Sequence, residues 1–212
     1  MNIQYLKRIP GYQYNEYILI LKPNKDLLDK IIGVKNEFND KYKITKAIHS
    51  QPQITLVNFI QFGMMEERLV NRLKIIAMGY HAFTVELKNF GSFPSHTIYI
   101  NIASQLQIQN LEKVLRQAQQ LMTINKDNKP HFINNPNLAI ARKLLPWQFE
   151  KGWLEYSQRH FTGRFIADSM VLLKRPLEAL PGGQHTTGKY SVVQRFEFQN
   201  LPVNTRQGEL FV

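Results

Sequence analysis

The sequence predicts an α+β protein built as two similar lobes, and three observations predict it. Strand-period and helix-period segments run in the order strand, helix, strand, helix, strands in each half, which suits two α+β lobes better than a doubly wound parallel sheet. Each half also holds a short strand entered through a proline and a side-chain amide. Finally, 212 residues with 43% hydrophobic and 11% aromatic content can bury a substantial core, whereas 20% charged residues argue against a disordered tail or a coiled coil. No fixed period marks a solenoid. Residues 1–200 are expected to form a single two-lobed domain and 201–212 a flexible C-terminal tail.

Tyr14 to Leu21 is rich in aromatic and β-branched residues and is closed by Pro23, so it reads as a strand. Asn24 then opens a helix, with Leu27, Leu28, Ile31, Ile32, Val34 and Phe38 at helical spacing. Gln53 to Ile60 is a second strand, and Met65 to Met78 a second amphipathic helix stopped at Gly79. Phe83–Leu87 and Thr97–Ile102 alternate as strands, with turn chemistry at Phe90–Pro94 between them. In the second half, Ile108–Met122 reads as a helix, Leu138–Ala141 as a strand and Pro146–Phe161 as a helix. Phe165–Leu173 and Tyr190–Phe198 read as strands, joined by the glycine-rich loop Leu180–Lys189.

Lys and Arg outnumber Asp and Glu by 27 to 16, a formal charge of +11. Such a surplus draws anions, so nucleic acid, nucleotides and phosphate esters are the expected partners. The chain has no cysteine, which excludes disulfides, thiolate metal sites and a cysteine nucleophile and fits a reducing cytoplasm. The first 22 residues contain no apolar core long enough for a signal peptide, and Tyr17–Leu21 is too short to span a bilayer. A cytoplasmic protein with no membrane partner is expected. No cofactor is implied, and no HxxxH or HExxH pair suggests a metal.

Two short motifs carry the functional argument. Gln51-Pro52-Gln53-Ile54-Thr55-Leu56 opens one strand, and Asn135-Pro136-Asn137-Leu138-Ala139-Ile140-Ala141-Arg142 opens another. Because strand side chains alternate, Gln53 and Thr55 share one face, as do Asn137 and Ala139. The bland reading is that both are ordinary core strands with polar residues at their mouths.

In motif order, context and spacing the chain resembles the two-histidine phosphoesterase superfamily, which includes 2′-5′ RNA ligase-like proteins and bacterial RNA 2′,3′-cyclic phosphodiesterases. The resemblance spans nearly the whole sequence, from Tyr14–Leu21 to the trailing Ala141-Arg142. It implies two pseudo-symmetric lobes, each a mostly antiparallel sheet flanked by helices, facing a central basic cleft. It also implies that the family's two histidines fall on Gln53 and Asn137, and its two hydroxyl residues on Thr55 and Ala139. Carboxamides cannot shuttle protons near neutral pH, although they still hydrogen-bond phosphate. Losing one acid–base group typically costs about 10²–10⁴-fold. The implied protein is therefore a pseudoenzyme that binds a nucleotide or RNA phosphate end, with Gln53, Thr55, Asn137 and Arg142 as ligand contacts.

Lys143 and Lys174-Arg175 are further anion-binding candidates. Phe93, Trp147 and Trp153 are candidates for stacking on a base, although helical spacing with Phe149 and Leu154 favours core packing for the tryptophans. An alternative is a weak or altered phosphodiesterase that uses Thr55, a water and His49 or His96; His131 also lies near the second motif. A further alternative is an adaptor. Gln207, Leu210 and Phe211 match the short Gln-x-x-Leu-Phe peptide by which bacterial replication and repair proteins dock on the sliding clamp.

Overall fold

The computed structural model describes residues 12–44, 51–179 and 185–202. Its first strand, β1 (Tyr14–Leu21), has Tyr17, Leu19 and Leu21 buried on one face and Ile18 and Ile20 on the other. A strand apolar on both sides belongs mid-sheet, and β1 lies between β2 (Ile54–Phe62) and β8 (Ser169–Ala179). The first sheet runs β10-β8-β1-β2-β5, with β10 at Ser191–Glu197 and β5 at His131–Phe132; β9 (His185–Thr187) pairs with β8. The second runs β6-β4-β3-β7, with β3 at Phe83–Phe93, β4 at Thr97–Ile102, β6 at Asn137–Arg142 and β7 at Thr162–Ala167. Neighbouring strands are antiparallel in both sheets.

Helices cover each sheet. The first is packed by α2 (Glu66–Met78), α3 (Gln105–Leu115) and the short α4 (Gln119–Met122). The second is packed by α1 (Lys25–Lys41) and α5 (Pro146–Tyr156). Asn24 caps α1 as its residue type predicts: its backbone is extended and its Oδ1 accepts from Leu27 N at 3.2 Å. The buried stripe of α1 is Leu27, Ile31, Lys35 and Phe38, three apolar residues and one lysine. No helix among the described residues is long and apolar enough to cross a membrane.

Four differences from the sequence expectations have physical causes. The lobes do not follow the halves of the chain, because β5, β8, β9 and β10 return to the first sheet while β3 and β4 enter the second. The expected strand Phe165–Leu173 is two strands in different sheets, with the exposed Asp168 at the crossing. The expected turn at Phe90–Pro94 is mostly strand: β3 runs to Phe93 and the reversal falls at Pro94–His96, with Ser95 at φ 61°. Gly91 serves a close approach there, since a Cβ would sit 2.6 Å from Asn101 Oδ1 and 2.7 Å from the Tyr99 ring. In α5 the buried stripe is Gln148, Gly152 and Tyr156, so Trp153 is only half-buried and Trp147 and Leu154 are 45% and 76% exposed. Gly152 sets that stripe because a Cβ would meet the Phe38 ring at 2.8 Å.

Candidate functional site

The two motif strands carry the same irregularity in corresponding places. In β2, Thr55 pairs with Ile20 and Val57 with Leu19, which leaves Leu56 as an extra residue. In β6, Ala139 pairs with Tyr99 and Ala141 with Ile98, which leaves Ile140 extra. A bulge of this kind reverses the facing of every residue beyond it. Asn58 therefore shares the face of Thr55, and Arg142 the face of Ala139, although each pair is three residues apart. The two sheets thus present equivalent patterns, Gln53-x-Thr55-x-x-Asn58 and Asn137-x-Ala139-x-x-Arg142.

A cleft of about 360 Å³ lies between the sheets. Gln53, Thr55 and Asn58 line it from the first motif strand, and residues 138–142 from the second. Glu16 and Ile18 of β1, Arg175 of β8, Tyr190, the α1 residues Lys35 and Asn39, and Ile44, Gln51 and Pro52 complete the described wall. Its charged residues are Glu16, Lys35, Arg142 and Arg175; no histidine is among the described lining residues. Glu16 and Arg175 form a charge-assisted hydrogen bond, with the Arg175 guanidinium 4.4 Å from the Tyr190 ring centroid. Burial, with the Glu16 charge adding, pushes the Tyr190 hydroxyl up to about 12, so near neutral pH it is a protonated donor to that carboxylate.

Lys35 is 8% exposed and lies where α1 meets the edge strand β6. Burial holds its ammonium below the ordinary lysine range, and the neighbouring Arg142 charge pushes in the same direction. The sequence reading missed this residue. Its signal is visible: Lys35 follows Ile31 by four residues and sits in the apolar stripe of its helix, a place where an ordinary lysine is costly.

The motif residues divide. Gln53, Thr55, Ala139 and Arg142 meet at the cleft, but Asn137 does not line it. Asn137 Nδ2 donates to Asn135 O at 3.2 Å, and the side chain borders a smaller hollow of about 130 Å³ with Phe93, Tyr99 and Asn101. Phe93 is 39% exposed and its ring centroid is 4.7 Å from that of Tyr99. Of the basic candidates, Arg175 lines the cleft, whereas Lys174 points to the opposite face and pairs with Glu66 at 2.7 Å. Lys143 sits exposed in a left-handed turn at φ 55°. His96 is exposed, with Nδ1 2.6 Å from Thr97 Oγ1, and lies away from the cleft wall. His131 pairs with Asn58 across the first sheet, so it shares that face one strand beyond the cleft. His49 and the tail residues Gln207, Leu210 and Phe211 lie outside the described residues.

A family model described as the 2′-5′ RNA ligase superfamily matches residues 33–178. The chain belongs to the 2′-5′ RNA ligase superfamily. Its fold is similar to that of E. coli LigT, solved in complex with 3′-AMP, at a TM-score of 0.57 and 13% identity over 88% of this chain and 98% of that one. It is also similar to TT0787 of Thermus thermophilus, at a TM-score of 0.54 and 15% identity over 87% of this chain and 98% of that one. No curated protein matches the chain by sequence. Identities this low speak to the fold, and the superfamily architecture of two antiparallel sheets with flanking helices is the one found here.

Proposed function

We propose that this superfamily member binds a nucleotide or the phosphate end of an RNA in the cleft and does not turn it over efficiently. One observation carries the proposal: the described cleft wall offers three cations, four side-chain amides and two hydroxyls, but no imidazole. Lys35, Arg142 and Arg175 attract a phosphate, and Gln53 and Thr55 supply hydrogen bonds to its oxygens. None of these groups matches the acid–base pair that cleavage of a phosphodiester needs near neutral pH. That E. coli LigT was crystallised with 3′-AMP, NADP+ and phosphate supports a nucleotide or phosphate ligand for the same fold.

Fluorescence anisotropy with a short RNA carrying a 3′-terminal phosphate tests the binding. Saturable binding at low ionic strength that weakens steeply with salt is expected, because phosphate contacts release counterions. Absence of binding at low salt overturns the proposal. A second reading, an altered phosphodiesterase, is favoured by the place of His131 on the face that carries Asn58. It predicts turnover that His131→Ala abolishes; turnover unchanged by that substitution excludes it. The adaptor reading rests on Gln207, Leu210 and Phe211. It is tested by deleting residues 207–212 and asking whether binding to a purified sliding clamp is lost.

A further inference from the structure

The open face of the second sheet continues beyond the cleft wall. Ala139, which lines the cleft, pairs across the sheet with Tyr99, and Tyr99 pairs in turn with Gly91 of β3. Asn137 pairs with Asn101. Directly opposed residues of antiparallel strands share a face, so Ala139, Tyr99 and Gly91 form one row with Asn137 and Asn101 beside it. The hollow of about 130 Å³ opens along this row, starting about 7 Å along β6 and about 5 Å across from Ala139, a distance that one nucleotide spans. Gly91 is its floor: a Cβ there would meet Asn101 Oδ1 at 2.6 Å and the Tyr99 ring at 2.7 Å, so the missing side chain lets both lie close against the sheet. The Phe93 ring stands 4.7 Å from that of Tyr99, tilted by 37°, and keeps a face exposed to solvent. Asn101 and Gln105 add carboxamides that make no side-chain hydrogen bond to another described residue. The described lining holds no charged residue, in contrast to the cleft next to it.

We propose that this hollow binds the base of the nucleotide whose phosphate occupies the cleft, with Phe93 stacking on the base and the Asn101 and Gln105 carboxamides hydrogen-bonding its edge. The inference rests on the reading of the cleft as a phosphate-end site and adds a second, uncharged subsite to it. A nucleobase is neutral and flat, with a rim of donors and acceptors. An exposed aromatic ring matches its flat face, and a carboxamide, which both donates and accepts, matches its rim. A phosphate would find no cation in the hollow, and an apolar peptide side chain would cover the two amides without pairing them. Charge and stacking are thus divided between two neighbouring places on one ligand: the cations line the cleft, and the aromatic rings line the hollow.

Two short RNAs with a 3′-terminal phosphate, one intact and one abasic at the last nucleotide, test this by fluorescence anisotropy with the full chain at low salt. The intact RNA is expected to bind about tenfold more tightly. Phe93→Ala changes an exposed side chain and should remove most of that advantage while leaving the affinity for the abasic RNA unchanged. A purely structural role for Phe93 would weaken both RNAs alike, and that result overturns the proposal. Asn101→Ala should act in the same direction as Phe93→Ala and carries the test if the first variant does not fold. A third RNA with 2-aminopurine as its last base should lose fluorescence on binding, as a stacked base does, and should keep it with Phe93→Ala. Equal affinity for the intact and abasic RNAs overturns the base subsite but leaves the phosphate-end reading intact. Binding of neither RNA at low salt overturns both.

Discussion

At the scale of single residues, Glu16 governs how much positive charge a ligand meets, because its carboxylate engages Arg175 and accepts from Tyr190 within the cleft wall. Replacing either member of the ion pair should therefore act in opposite directions. Glu16→Gln releases Arg175 toward the ligand, and affinity for 3′-phosphorylated RNA should rise by about tenfold, roughly 1.4 kcal/mol. Arg175→Met leaves the carboxylate facing the ligand, and affinity should fall by a similar factor; equal effects of the same sign would refute this account of the pair. Tyr190 gives a pH test. Its folded-state value of about 12 lies above the ordinary tyrosine value of 10, so the unfolded chain releases the proton first as pH rises. The stabilisation is fully present below pH 10 and is lost as pH rises through about 12. Thermal midpoints measured across that window should drop less in Tyr190→Phe than in the natural protein.

At the scale of elements, the motif strands were legible in the sequence and their consequences were not. Aromatic and β-branched content gave β1 its observed ends, and the Asn24 side chain announced the start of α1. Asn24→Ala should accordingly cost about 1 kcal/mol, read from the denaturant midpoint. Gly152→Ala should cost about 1–3 kcal/mol, since the added methyl meets the Phe38 ring and Ile98 in the seam between α5 and α1. The bulges at Leu56 and Ile140 escaped notice because strict alternation assigns Asn58 and Arg142 to the wrong faces. Lys35 escaped because a lysine in a helix is ordinarily read as solvated, and only its place in the stripe shows otherwise. Glu16 and Tyr190 were hidden for another reason: their partnership joins β1, near one end of the chain, to the residue just before β10, near the other. Asn137 was placed correctly on its strand, yet its side chain turns to the Asn135 carbonyl and the neighbouring hollow, a rotamer choice that no sequence pattern records.

At the scale of the molecule, the interleaved path couples the lobes. The step at Asp168 carries the chain directly from the last strand of the second sheet into the middle of the first, so neither sheet can be completed from one half of the sequence. Unfolding should therefore appear as a single cooperative transition with coincident fluorescence and circular-dichroism midpoints; two separated transitions would be incompatible with this coupling. The net charge of +11 extends the cleft's attraction over the whole surface. Binding of single-stranded RNA should lose affinity with log salt at a slope of about −0.7 for each phosphate engaged. On the proposed reading, binding persists where catalysis does not. A single-turnover experiment, with protein in excess over an RNA ending in a 2′,3′-cyclic phosphate, follows retention of the RNA and the chemistry of its end together. The RNA should be retained with its cyclic end unopened; opening of the cyclic phosphate by the natural protein would show that the cleft, or a residue near it, still moves protons.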